Sequence, residues 1–322
     1  MEMKVKWLVV ISIIVLALAG CGLEEKNPLE GKVKVGVMLS ENGLGDQSFS
    51  DLAFAGLTKA RDEDGVVIEY LELTETDTYE KGFRELVANG NDLVFALGFT
   101  GQEELEKVAL DFPDQQFVLV DSVSEAANIT SVTFKEDEGS MLAGIVAATV
   151  SKSKVIGFIG GVEAPVIQRF EKGFIQGAKS VNPDIVVLTK YAGDFDNDGL
   201  GAQIASGMID EKVDVLYAAA GFTGVGMLKE AEKRGVYAIG VDSDQYFYAE
   251  QAVITSMMKN IDSALYDIIH TYKGSGKIQA GHIELGLAEK GVGLAPFRVL
   301  ELTEPEQKNL DSLIEKTVSE MK

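Results

Sequence analysis

Ten short runs rich in Val, Ile and Leu, separated by segments with helical spacing, constrain this chain more than any other feature. They are Val33–Leu39, Val66–Leu73, Leu93–Leu97, Phe117–Val120, Thr130–Thr133, Val155–Ile159, Ile185–Tyr191, Val215–Ala219, Tyr237–Val241 and Val253–Ser256. Apolar runs of this kind suit strands covered on both faces, the condition of a parallel sheet. Helical periods fall between them: Leu52–Asp62, Thr78–Asn89, Gln102–Asp111, Ser140–Val150, Gln168–Val181, Gly199–Asp210, Val225–Arg234 and Ile261–Gly274. Repeated strand–helix–strand units predict an α/β fold of doubly wound parallel sheets.

A chain of 322 residues exceeds one ordinary core. The alternation breaks at Asp121–Asn128 and then resumes with a second set of units, which predicts two similar lobes and a cleft between them. The expected division is residues 32–124 plus 243–272 for the N-terminal lobe and 125–242 plus 273–322 for the C-terminal lobe. The returns are placed near Asp242 and Gly274. Glu304–Lys322 reads as a closing helix, with Pro305 suited to its first turn.

The N-terminus carries Lys4 and Lys6, then the apolar segment Trp7–Ala19, then Leu18-Ala19-Gly20-Cys21. A basic start, an apolar stretch too short to span a bilayer comfortably and small residues before a cleavage point read as a signal peptide over residues 1–20. The tetrapeptide resembles a bacterial lipobox, which makes Cys21 the expected lipidation site. Residues 21–31 then form a short lipidated tether to the outer face of the cell membrane. Cys21 is the only cysteine, so no disulfide forms within the chain. Net charge is −22, and loss of Glu2, Lys4 and Lys6 makes the body one unit more negative. An acidic body disfavours nucleic acid as a partner, because phosphate binding needs clustered Lys and Arg.

Asn42–Asp51, read N-G-L-G-D-Q-S-F-S-D, lies between the first strand and the first helix. Such strand-to-helix turns present ligand-binding groups in open α/β sheets, where helix amides and short polar side chains converge. Asp46 then accepts from a polar ligand and Phe49 gives a flat apolar face; alternatively Asp46 and Ser48 cap the helix and Phe49 is core. Comparable residues end other strands: Gly98-Phe99-Thr100-Gly101, Asp121-Ser122, Asp194-Phe195, Gly221-Phe222-Thr223-Gly224 and Asp242-Ser243-Asp244. Acids, aromatics and glycines recurring in both halves predict one shared crevice. Lys259 follows the last apolar run and reads either as solvated or as a donor to a ligand oxygen balanced by Asp242.

These blocks resemble the basic membrane protein family of bacterial lipoproteins, the substrate-binding components of nucleoside ABC transporters. The likeness covers the mature chain and is carried by Cys21, Gly45–Phe49, Phe117–Asp121, Gly157–Phe174, Tyr191–Phe195, Ala220–Gly226, Gly240–Gln245 and the block ending at Lys259-Asn260. The resemblance implies a type I periplasmic-binding-protein-like fold with a purine nucleoside between the lobes. It further implies that Asp46 and Asp121 meet polar edges, Phe49 and Phe195 sandwich the base, the Gly224 backbone lines the pocket, and Asp242 with Lys259 holds the ribose. Phe170 reads as core between Ile167 and Phe174. The expected partners are the nucleoside, an ABC permease and the membrane through Cys21, with the protein a monomer. Three positions depart from the family pattern: Gly45 and Ser50 stand where Asn is usual, and Phe222 where a small residue is usual. An Asn amide both donates and accepts, so its loss leaves the base preference open.

Two other readings stand beside this one. A sensor of the same fold would signal through a partner instead of feeding a permease. A hydrolase would need a nucleophile or metal set, but His270 and His282 are the only histidines and no G-x-S-x-G elbow occurs. Asp194 and Asp196 are the acid pair available to it. No enzyme activity, cofactor or metal is expected.

Overall fold

The computed structural model describes Leu29, residues 31–300 and residues 302–321. Cys21, the signal segment and most of the tether lie outside these residues. Within Val33–Lys322, which forms one unit, twelve strands make two six-stranded sheets. The first sheet contains β1 (Lys34–Met38), β2 (Val67–Leu71), β3 (Leu93–Leu97), β4 (Gln116–Val120), β5 (Ile129–Phe134) and β11 (Gly281–Leu285), ordered β11-β5-β4-β3-β1-β2. All its pairings are parallel. The second contains β6 (Val155–Gly160), β7 (Val186–Tyr191), β8 (Val215–Ala219), β9 (Tyr237–Asp242), β10 (Val253–Lys259) and β12 (Val292–Leu294), ordered β12-β10-β9-β8-β6-β7. Only its edge strand β12 runs antiparallel.

Apart from the short α2, helices occupy the intervals that the sequence marks: α1 (Phe49–Asp64), α2 (Leu73–Thr76), α3 (Tyr79–Ala88), α4 (Gln102–Asp111), α5 (Glu136–Val150), α6 (Pro165–Val181), α7 (Asp198–Asp210), α8 (Gly221–Arg234), α9 (Ile261–Ser275) and α10 (Glu304–Met321). Local chemistry sets their ends. Thr78 caps α3 by accepting from the Lys81 amide, and Asn197 caps α7 by accepting from the Leu200 amide. Pro165 opens α6, while Gly65, Gly235 and Gly276 close α1, α8 and α9 in the left-handed conformation. Among the described residues, no helix is long and apolar enough to cross a membrane.

Sheet membership corrects the expected division in three places, one of them at β11, which was expected in the C-terminal lobe but pairs with β5 in the first sheet. The polar stretch Asp121–Asn128 is a loop within the first lobe, because β5 beyond it pairs with β4, and the Ser124 amide is held by Ser131 Oγ at 2.9 Å. The chain crosses later, at Lys135. Residues 243–259 do not return either, since β10 pairs with β9 and stays in the second sheet. The return comes at Asn260, after which α9 packs on α1, and a third crossing joins β11 to β12. The strands β11 and β12 escape a pattern search because β11 is a half-exposed edge and β12 spans only three residues.

The site depends on one close helix pair. α5 and α6 approach until backbone meets backbone: a Cβ at Gly173 would stand 2.2 Å from the Asp137 carbonyl oxygen, and one at Gly177 1.9 Å from that of Met141. This proximity brings Arg169 on α6 within reach of Glu136 on α5. Gly177→Ala must push the helices apart and is expected to cost about 1–3 kcal/mol in denaturant unfolding. Gly207→Ala is the contrast: it sits inside α7 with nothing within 4 Å of a new Cβ, and stiffening the helix should raise stability by roughly 0.5–1 kcal/mol.

Candidate functional site

In each sheet the first strand is flanked by strands reached in opposite directions, β3 and β2 around β1, β8 and β7 around β6. Helices leave to opposite faces at such a point, opening a crevice at the strands' carboxyl ends. Here the two crevices face each other across a cleft holding about 780 Å³ of empty space, part of it open solvent. Its lining comes from the ends of β1, β3 and β4 in the first lobe, and in the second from the ends of β8, β9 and β10, the loop after β7 and the first turns of α6.

Asp46 takes the capping role that the sequence left open. Its Oδ2 accepts from the Ser50 amide at 2.7 Å, and its Oδ1 from the amides of Ser48 and Asp51 at 3.0 and 3.2 Å. The carboxylate therefore caps α1 from two residues before Ser48, whose own side chain makes no capping bond. Burial raises the pKa of Asp46 while these amides oppose it. Asp46 also lines the cleft, but three of about four acceptor positions on a carboxylate are taken by backbone.

Phe49, the first residue of α1, and Phe195, in the loop after β7, line the cleft from opposite lobes. The Phe195 ring lies on Gly161, where a Cβ would stand 2.1 Å from Cε1, so no larger residue fits beneath it. Phe170 is both core and wall: it is buried, as expected, yet it also faces the cleft, with Val166 and Ile167 on the same helix.

The polar floor is a buried chain of charges. Lys259, 2% exposed, donates from Nζ to Asp121 Oδ2 at 2.6 Å, and Glu136 Oε1 lies 3.1 Å from the same nitrogen. Arg169 Nε donates to Glu136 Oε2 at 2.7 Å. The Lys259 ammonium also lies 5.1, 5.4 and 5.6 Å from the ring centres of Phe134, Phe49 and Phe170, within cation–π range. Burial pulls the Lys259 pKa down, but Asp121, Glu136 and Asp242 together hold it above the usual lysine value. Asp121 is raised by burial against the pull of Lys259. Its Oδ1 is buried without a hydrogen-bond partner.

Asp242 ends β9 as Asp121 follows β4, and both take the left-handed backbone, at φ 63° and 66°, which Asp tolerates better than most residues. Ser48 Oγ donates to Asp242 Oδ2 across the cleft. Burial lifts the Asp242 carboxyl from 3.8 to about 6, with Lys259 and Ser48 opposing. Together with Lys259–Asp121, this bond ties the two lobes together.

Of the seven expected ligand residues, six line the cleft: Asp46, Phe49, Asp121, Phe195, Asp242 and Lys259. Gly224 does not. The segment read as a strand-end turn is the start of α8, so Gly221 faces the cleft and Gly224 lies one turn inside the helix, where an added Cβ would stand 3.4 Å from the Ala218 Cβ. Phe222 is half-buried and is not part of the lining. The other departures have local reasons. Gly45 is exposed with φ 94° and its amide donates to Asp51; Ser50 is buried and bonds the cleft residue Ser40 through their hydroxyls at 2.7 Å. Sequence reasoning did not single out Ser40, Asn42 and Thr100 in the lining, although Asn42 opens the marked stretch Asn42–Asp51, nor Glu136 and Arg169 behind it. Thr100 lay within a motif already marked, whereas Glu136 sits in an acidic helix start whose plain reading is a solvated first turn.

Among the described residues, no group of His, Cys, Asp and Glu is placed to hold a metal ion. Neither Asp194 nor Asp196 belongs to the cleft lining.

Comparison with known proteins gives the family. A relative from Lactococcus lactis subsp. cremoris, named an ABC transporter nucleoside-binding protein BmpA, is 35% identical over 86% of this chain and 88% of its own. A CD4+ T-cell-stimulating antigen of Listeria monocytogenes is 32% identical over 89% and 88%. Among solved structures, an ABC transporter solute-binding protein from Aeropyrum pernix K1 superposes with a TM-score of 0.81 at 29% identity, covering 90% of this chain and 92% of its own. Residues 32–322 match the Bmp family, described as PnrA-like ABC transporter substrate-binding proteins, and the chain belongs to that family.

Proposed function

We propose that this protein captures a nucleoside, a purine nucleoside in the first instance, between its lobes and delivers it to an ABC permease while anchored outside the cell membrane through lipid on Cys21. The observation that carries the reading is the pairing of two aromatic walls, Phe49 and Phe195, with a floor where Asp121, Asp242 and Lys259 meet. Aromatic faces accept any base by stacking, and a carboxylate beside an ammonium suits the vicinal hydroxyls of a ribose. The unpartnered Asp121 Oδ1 is a buried acceptor that a ligand donor would satisfy. Contacts from both lobes favour closure around the ligand, and the bonds Ser48–Asp242 and Lys259–Asp121 give closure its polar component. Binding and release need no covalent step. The family membership and the nucleoside-binding name of the Lactococcus relative support transport over sensing.

Charge narrows the ligand further. Glu41, Asp46, Asp121 and Asp242 line the cleft against one cation, Lys259, which is already engaged by carboxylates. A phosphorylated ligand would meet net negative potential with no free cation among the lining residues.

Isothermal titration of protein stripped of bound ligand by unfolding and refolding tests this directly. Inosine, guanosine or adenosine should bind saturably, and the matching 5′-monophosphate at least about 100-fold more weakly. No saturable heat with any nucleoside, from folded protein, would remove the reading. Lys259→Met should reduce affinity by about two orders of magnitude or more, because a truncated partner leaves a buried carboxylate uncompensated.

Asp242 adds a pH signature. If ribose hydroxyls donate to its ionised form, affinity is flat above pH 7 and falls about tenfold per unit below about 6, where the carboxyl protonates. Stability runs the other way. A folded-state pKa raised above the unfolded value means that ionisation opposes folding, so this contribution is present below about 4 and is lost as pH rises through about 6. Asp242→Asn should therefore stabilise the ligand-free protein by roughly 1–3 kcal/mol at pH 7.5, lose that advantage below pH 4, and bind nucleoside poorly throughout. Thermal unfolding at the two pH values measures it.

A further inference from the structure

Glu136 is completely buried and is not one of the cleft-lining residues, yet its Oε1 lies 3.1 Å from the Nζ of Lys259, which is. It begins α5 immediately after the first crossing between lobes, and Lys259 ends β10 immediately before the second. The two residues therefore meet at the hinge. Arg169, from α6, approaches Glu136 from the other side at 2.7 Å.

Lobe membership separates the partners of Lys259. Asp121 belongs to the first lobe and would leave Lys259 when the lobes part, whereas Glu136, Arg169 and Asp242 move with Lys259 in the second. A buried ammonium without a counter-charge loses its proton or swings toward water. Of the carboxylates that stay, Glu136 is the one in direct contact with Nζ, at 3.1 Å.

We propose that Glu136 is a positioning residue that holds Lys259 charged and aimed into the cleft whether or not the lobes are closed, so that the ligand meets a preset donor. Arg169 in turn balances Glu136, so that Asp121 remains free to exchange between Lys259 and the ligand. This rests on the reading of the cleft as one that opens and closes around its ligand. The groups facing Lys259 are Asp121 after β4, Asp242 ending β9, and Glu136 on α5, together with the rings of Phe49, Phe134 and Phe170.

The test uses the full chain in detergent, labelled with ¹³Cε-lysine, with Lys259→Met to assign the signal. In the unaltered protein Lys259 should stay charged while the exposed lysines titrate. In Glu136→Gln its titration should move down to below that of the exposed lysines, and inosine affinity, weakened at pH 7, should fall further as pH rises to 9.5. Glu138→Gln, which removes the Lys135 partner at the same hinge, should leave the Lys259 titration in place. Should Glu136→Gln fail to fold, Glu136→Asp, which retains the charge but withdraws it, should give a smaller shift in the same direction. An unmoved Lys259 signal, or a loss of affinity equal at every pH, overturns the proposal. If the unaltered protein binds no nucleoside, the nucleoside reading fails by itself and the Lys259 signal still decides the role of Glu136.

Discussion

A buried lysine between carboxylates is the constraint on which the cleft depends. Lys259 is almost without solvent and keeps its charge through the carboxylates around it, Asp121 and Glu136 at 2.6 and 3.1 Å with Asp242 nearby. Three elements must then be fixed together: the end of β10, the loop after β4 and the start of α5. Such clusters rarely improve stability over a well-packed apolar core, because desolvation offsets much of their attraction. Their presence at the cleft floor is better explained by the need for charged groups already dry and oriented when a polar ligand arrives.

The fold supplies that arrangement with little local strain. Parallel strands send all their carboxyl ends to one edge of each sheet, so Asp121 and Asp242 take equivalent places at the ends of β4 and β9 with the same left-handed backbone. Three crossings join the lobes at Lys135, Asn260 and the β11–β12 connection, and they lie together: the Asn260 amide donates to the Gly291 carbonyl oxygen at 2.8 Å, and its side chain to that of Lys290 at 2.7 Å. The polar contacts at the cleft and the hinge are thus two ends of one charged chain, with Lys259 belonging to both.

Much of this was legible in the sequence. All ten apolar runs are strands; in eight of them burial on both faces removes the need for polar residues and leaves an unbroken signal, while the edge strands β2 and β7 are only partly buried. Six of the seven proposed ligand residues reach the lining because strand-end position alone places a side chain at the crevice. What escaped follows from tertiary pairing. The edge strand β11 is half-exposed and lacks the buried pattern; the loop after Asp121 has the composition of a linker but is followed by a strand that completes the same sheet. The shift from Gly224 to Gly221 came from where α8 begins, and Glu136 carried no sign that an acidic first turn would be wholly buried.

The most direct test of the account is a crystal structure of the protein with a purine nucleoside bound. The base should lie between Phe49 and Phe195, with ribose hydroxyls within hydrogen-bond distance of Asp242 and Lys259 and a ligand donor on Asp121 Oδ1. A nucleoside seated with its ribose away from Asp242 and Lys259, or an empty cleft at saturating ligand, would contradict it.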